Sequence, residues 1–365
     1  MIDDKEGAVV PASQISLEGI QPADYEKLDR YTQILLKEAT SALSKYLPEA
    51  LPQEPTEVLI GVVPNYLGRL QGKHYIGFER DPDLDPVANG MKALMQNMEW
   101  AQETFKLFGE LEIERFKSID AKAETGDYDF TEIDQQMAHN RELVKQRPRP
   151  EVKPEPKDWH NPEKLLEGSG QFSELSWRGV YSLVHELIHQ KQAELNPAAF
   201  PDLATPELED KDPDTIPHRE LYDLLVESHR ENSRSQITDS LFYPVVEGMA
   251  VIGSLYVMGK LADELTASNE EDAANRIRVL RRSSLHTEAV ISSRKEKEGN
   301  GSYEANYAEG IRLMRKLSEN LGFENLPNFL VNVDLAACRQ MTKGSPEYQQ
   351  IVNNPSLLPK LPQVA

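Results

Sequence analysis

The 365-residue sequence predicts an α+β, predominantly helical fold with a small β-sheet and additional helices. Three observations carry the prediction. One short stretch in the first third is rich in β-branched and aromatic residues. Helical periodicity covers most of the second half. Hydrophobic residues make up 39% of the chain, enough to fill a sizeable core.

The elements follow in order. Residues 1–20 read as a flexible N-terminal tail. An amphipathic helix begins after Pro22, where YEKLDRYTQILLKEATSALSKYL sets Leu28, Tyr31, Leu35 and Leu36 at helical spacing, and Pro48 and Pro52 end it. EVLIGVV, NYLGRLQG and KHYIGFER, punctuated by Gly68 and Gly72, are expected to be strands joined by a turn. Helical patterning returns from Pro86 to Phe116 and from Phe130 to Val144. RPRPEVKPEPKDWHNPEK then places five prolines in eighteen residues, so 145–172 is expected to be an extended loop.

From Ser173 the chain reads as nearly continuous helix. The segments are SELSWRGVYSLVHELIHQKQAEL, HRELYDLLVESHREN, DSLFYPVVEGMAVIGSLYVMGKLADEL, DAANRIRVLRRSSLHTEAVISSRKEK, YEANYAEGIRLMRKLSENL and LPNFLVNVDLAACRQM. Residues 346–365 are expected to be an irregular C-terminal tail. No internal period of 20–50 residues appears, which excludes a repeat array, and 21–345 is expected to form a single domain.

Charge and composition narrow the function classes. A formal net charge of −21 repels a phosphate backbone, so no nucleic-acid partner is expected, and strongly acidic substrates are disfavoured at long range. The basic runs around Arg281 and Lys295 lie in charge-mixed helical sequence and read as solvated faces. The first residues carry no basic region followed by an apolar stretch, and no apolar run reaches the roughly 18 residues of a membrane span, so a cytoplasmic protein is expected. The one cysteine, Cys338, permits no intramolecular disulfide and reads as a small buried apolar residue.

Chemistry concentrates in VHELIHQKQ. His185 and His189 are four residues apart, so on a helix they share one face and their imidazoles can converge on one metal ion, with Glu186 directed at the water beside it. Val180, Leu183, Val184, Leu187 and Ile188 make the rest of that helix apolar, hence buried. Two imidazoles and a carboxylate in such a setting need a partner, and a metal supplies one. The longer form of the motif requires a third histidine where Leu195 stands and a glycine where Gln192 stands, and is excluded.

A third ligand must then come from a later carboxylate. Glu247 in FYPVVEGMAVIGS is the first choice: Pro244 suits the first turn of a helix, and Gly248 and Ala250 are small enough to allow close packing against the motif helix. Glu209, twenty residues after His189 in the acidic, proline-flanked TPELEDKDPD, is a rival. Glu227 and His229 are weaker ones. His74, His139, His160 and His218 have no ligand spacing and read as surface or loop residues, while Trp159 and Trp177 could line a cleft or fill the core.

HExxH followed by Glu247-Gly248-Met249-Ala250 resembles the gluzincin metallopeptidases of the zincin superfamily, which pair the motif with a downstream glutamate, often as EGxA. The resemblance implies a zincin-like catalytic domain and one catalytic Zn²⁺ held by His185, His189 and Glu247. It further implies Glu186 as general base for a zinc-activated water that hydrolyses peptide bonds. In the family a later tyrosine or histidine steadies the oxyanion; Tyr303 and Tyr307 in GSYEANYAEGIRL are the expected candidates, with His229 and His286 as alternatives. A strand beside the active helix edges the cleft there, and GKHYIGFER is its expected counterpart. The long interval from His189 to Glu247 departs from the thermolysin-like pattern. So does Val251, standing where an acidic residue would orient a zinc histidine.

The functional expectation is a zinc-dependent metallopeptidase acting on a peptide or protein substrate. A helical binding or scaffold protein with a structural or inactive zinc site, and a zinc hydrolase of non-peptide amides or esters, are the alternatives. Glu186 favours an enzyme, because a purely structural site has no use for a carboxylate beside a bound water.

Overall fold

A computed structural model describes residues 22–61, 65–79, 111, 114, 117, 130–145, 162–172, 174–200, 212–234, 240–281, 303–322, 325, 329 and 332–362. The predominantly helical α+β prediction holds. Helices α1 (Pro22–Tyr46), α2 (Thr131–Lys145), α3 (Glu174–Leu195), α4 (His218–Arg234), α5 (Phe242–Ala267), α6 (271–281), α7 (Tyr303–Leu321), α8 (Leu335–Gln340) and α9 (Pro346–Asn353) accompany one three-stranded sheet. Apart from 111 and 114, which are helical, the expected helix over Pro86–Phe116 lies outside the described residues, as does most of the proline-bearing loop.

The sheet comprises β1 (Thr56–Gly61), β2 (Asn65–Leu70) and β3 (Lys73–Glu79) in the order β1-β3-β2. β1 runs parallel to β3 from Thr56↔His74 to Gly61↔Glu79, and β2 runs antiparallel to it. Gln71 and Gly72, both with positive φ, turn β2 into β3 as a two-residue hairpin loop requires. A bulge between Tyr66 and Gly68 sharpens the twist of β2. The central strand is therefore β3, saturated on both sides. This corrects the expectation that GKHYIGFER is the strand with a free edge beside the motif helix: among the described residues β2 is an edge strand and it packs against α3.

Alternation along the strands divides the apolar side chains between two faces. Val58, Tyr66, Ile76 and Phe78 join the main core with α1, α3 and α5, while Leu59, Leu67, Leu70 and Tyr75 pack against Ile216, Leu221, Tyr222 and Leu225 on and before α4. The sheet is thus clasped between helices.

Helix α5 is apolar around its whole circumference, as FYPVVEGMAVIGSLYVMGKLADEL demands, and α1, α3 and α7 surround it. It has the length and composition of a membrane span, but 89% of its most apolar window is buried inside the fold, the placement of a core helix. Gly248 fits this crossing differently from expectation. A Cβ there would lie 2.2 Å from the carbonyl oxygen of Gly310 on α7, and one at Gly310 would lie 2.0 Å from that of Pro244. The small residue serves the α5–α7 contact rather than the motif helix.

The chain after Ser345 also departs from the irregular tail expected. The Ser345 hydroxyl accepts from the backbone N–H of Tyr348 and Pro346 occupies the first turn, so α9 forms with an ordinary N-cap. Tyr348 and Ile351 fasten it to the core.

Candidate metal centre

Helix α3 is long, lined on one side by Val180, Leu183, Val184, Leu187 and Ile188, and buried for most of its length. Burying its second half takes His185, Glu186 and His189 out of water, leaving them only 6–9% exposed. As the spacing predicts, the two imidazoles share a face: their rings meet edge to face at 4.6 Å, and their Nε2 atoms are 2.9 Å apart.

Glu247 arrives from α5 and completes the group. Its Oε2 lies 3.4 Å from Nε2 of His185 and 3.5 Å from Nε2 of His189, and it is 8% exposed. His185, His189 and Glu247 could together hold a metal ion, each offering one ligand atom within 4.8 Å of the others. Three buried donor atoms converging on one point are costly unless a cation or proton sits among them. Of the rivals, Glu227 is exposed on α4, and Glu209, with the side chain of His229, lies outside the described residues.

The metal-free electrostatics express that need. Burial opposes a charged His189, but the Glu247 carboxylate beside it, helped by Glu186, outweighs burial and pushes the ring up to about 9. Burial likewise opposes ionisation of Glu247, yet the facing imidazoles hold its carboxyl well below the usual range. Glu186 behaves oppositely: burial raises it, Glu247 adds to the rise, and His185 and His189 pull the other way without cancelling it.

Glu186 is not among the converging donors. Its Oε2 accepts a 2.6 Å hydrogen bond from the backbone N–H of Tyr66 on β2, which fixes the carboxylate between the edge strand and the metal group.

The support around the ligands includes residues that sequence reasoning missed. Nδ1 of His189 lies 2.8 Å from Oε1 of Gln192, whose own NH₂ donates at 3.1 Å to the carbonyl of Val246, the residue before Glu247. Because Val246 O can only accept, the amide orientation is fixed. Nδ1 of His189 is then the donor, and Nε2 presents its lone pair to the site. Gln192, the residue that excluded the longer motif, thus orients His189 and ties it to α5. Its place one turn beyond His189 was the available signal.

His74, expected at the surface, is 1% exposed. Nε2 of His74 lies 2.8 Å from the Glu54 carboxylate and Nδ1 lies 2.7 Å from the Tyr66 hydroxyl, so the ring donates to Glu54 and accepts from Tyr66. The hydrogen bond from His74 lowers Glu54 below the ordinary carboxylate value. This chain ends on the residue whose backbone holds Glu186.

The remaining candidates are dispersed. Tyr303 and Tyr307 lie in the first turns of α7, but their side chains, like His160, Trp159 and His286, fall outside the described residues. His139 and His218 are exposed. Trp177 is fully buried against Phe172, so it fills the core. Cys338 is buried as expected, and burial pushes its thiol up to about 12.

Comparison of the chain with protein-family models, with curated proteins and with solved structures finds no match.

Proposed function

We propose that the chain is a zinc-dependent metallopeptidase, a gluzincin-like enzyme with Glu186 as general base. The observation that carries this reading is the position of Glu186: a buried carboxylate beside a three-donor metal group, tied to a sheet edge and not itself a donor. A structural metal site gains nothing from such a group.

Zinc suits the donor set. Two imidazole nitrogens and one carboxylate oxygen leave one position of a tetrahedron open. The triangle of donor atoms, with sides of 2.9, 3.4 and 3.5 Å, compares with the ~3.3 Å edge of a tetrahedron built on Zn–N and Zn–O bonds of about 2.0–2.1 Å. When bound, the ion would act as a Lewis acid toward a carbonyl and bring the pKa of water towards about 7.

The chain's own groups would do the rest. Glu186, with one oxygen fixed on Tyr66 N–H, keeps the other for the attacking water, takes its proton and returns it to the departing amine. Burial raises its pKa, which suits a group that must both accept and give a proton. An extended peptide would pair with the edge of β2 and so run past Glu186.

The test compares wild type with Glu186→Gln on a mixture of unstructured peptides, with products read by mass spectrometry. The reading predicts cleavage by wild type and none by the variant, with equal metal content in both. Equal cleavage by both proteins would remove Glu186 as base. Hydrolysis of simple esters or acyl amides without peptide cleavage would move the assignment to a non-peptide hydrolase.

A further inference from the structure

Helix α8 packs against α5 and is hydrogen-bonded to the residue that follows α3. At its start the backbone N–H of Leu335 donates to Oδ1 of Asn196, the residue after α3, and the Asn196 amide donates back to Gln192 O. Just beyond its end the Met341 carbonyl accepts from the N–H of Leu241, beside the first residue of α5. Arg339 therefore sits on an element pinned to the two helices that bear the ligands.

Its side chain is unusual for this chain. The guanidinium lies over the Phe242 ring at 4.4 Å, its Nε is buried without a hydrogen-bond partner, and among the described residues no carboxylate pairs with it. In a protein with 61 acidic residues against 40 basic ones, a half-buried arginine with no counter-ion among the described residues is conspicuous. Burial lowers its pKa from the ordinary guanidinium value, the cost of keeping a cation there.

The surroundings connect it to Glu186. Phe242 packs on Phe200 at 5.5 Å and on Tyr243 at 5.3 Å, and Phe200 packs edge-on against Tyr66 at 6.3 Å. Tyr66 is the residue whose N–H holds Glu186. Phe200, Tyr243 and Arg339 all keep part of their surface in solvent. A row of rings thus runs from Tyr66, whose backbone holds Glu186, through Phe200 and Phe242 to Arg339. Phe242 precedes Glu247 by five residues on α5, about 7.5 Å along the helix axis and about 140° around it, so the two side chains leave the helix on different faces.

We propose that Arg339 is a specificity-determining residue that receives a carboxylate of the substrate, seated on the buried Phe242 ring, with the partly exposed Phe200 and Tyr243 as the apolar wall of the same subsite. The inference rests on the hydrolase reading and adds a substrate class to it: peptides carrying a carboxylate a few residues from the scissile bond. A planar guanidinium stacked on a ring keeps its edge free for a bidentate carboxylate, whereas the wall accepts the apolar part of the same residue.

The test uses the full chain supplied with zinc and three peptide hydroxamates of one sequence, whose hydroxamate anchors at the metal. The first ends in a free carboxylate, the second in an amide, and the third in an amide with Glu replacing an internal Gln. At least one acid should bind about tenfold or more tightly than the neutral amide, and which one identifies the carboxylate as terminal or side-chain. Arg339→Gln should bring the ratio close to one, chiefly by weakening the acid, and Arg339→Lys should restore part of it. A thermal melt of each variant guards against misfolding. Equal binding of all three probes by wild type, or an undiminished preference in Arg339→Gln, overturns the subsite. Failure of even the neutral hydroxamate to bind zinc-loaded wild type would remove the hydrolase reading and the subsite with it.

Discussion

Gln192 and His189 are joined by a 2.8 Å hydrogen bond that decides which nitrogen of the ligand histidine faces the metal group. The same amide donates to Val246 O, so one side chain orients a ligand on α3 and ties it to the helix that supplies Glu247. Gln192→Ala should lower metal affinity by about 10–100-fold, the usual cost of losing such a support. Gln192→Glu keeps an acceptor for His189 but loses the donor to Val246, so its loss should be smaller. Competition with a fluorescent chelator measures both, and an affinity unchanged by Gln192→Ala would make this contact incidental.

The metal-free protein should show a distinctive pH dependence. His189 stands at about 9 in the fold against ~6.5 in an unfolded chain, so its contribution to stability is complete below about pH 6.5 and lost as the pH rises through 9. Glu247, held low, contributes above about pH 4.5, and that part is lost only as acid protonates it. In the presence of a chelator, urea midpoints should therefore fall as the pH rises from about 6.5 towards 9. Metal affinity should rise over the same alkaline interval, because the ion requires neutral imidazole. A midpoint that climbs from pH 6.5 to 9 would contradict the assigned coupling of His189 to Glu247.

The Gly248–Gly310 crossing predicts a sharp intolerance. Gly248→Ala would place a methyl 2.2 Å from a backbone oxygen, and neither helix can yield without moving its neighbours. A loss of about 1–3 kcal/mol or more in chemical denaturation is expected, together with weaker metal binding because Glu247 is the adjacent residue. Gly72→Ala, in the open β2–β3 turn where a Cβ meets nothing within 4 Å, serves as the comparison: its cost is confined to backbone strain and should leave metal binding unchanged.

His74→Leu removes the hydrogen bonds to the Tyr66 hydroxyl and to the Glu54 carboxylate, at an expected cost of about 1–3 kcal/mol. Tyr66→Phe should cost less in the His74→Leu background than in wild type, which a double-mutant cycle by urea denaturation resolves. Additive losses would mean that the two residues do not act through each other.

What the sequence made legible follows from distance along the chain. His185, Glu186 and His189 lie within one and a half turns of one helix, so their relationship is set locally. Glu247 could be chosen because a carboxylate embedded in an apolar helix needs a cationic partner to offset its burial. Gln192, His74 and the β2 edge were not legible for one shared reason. Gln192 acts through a backbone carbonyl more than fifty residues away, and His74 through Glu54 and Tyr66, which meet only once the sheet is assembled. The three strands could be read from composition, but the parallel pairing that makes β3 central and β2 an edge is a property of the whole fold. The N-cap of α9 stood in the sequence as Ser345-Pro346 and was outweighed by the prolines that follow.

Everything proposed for this chain depends on His185, His189 and Glu247 holding one metal ion, and metal analysis of protein purified without chelators reads that out. About one zinc per chain is expected in wild type, retained in Glu186→Gln and lost or strongly reduced in His185→Ala and Glu247→Ala. Wild type without bound metal, or with the same metal content after His185→Ala and Glu247→Ala, would contradict the assignment.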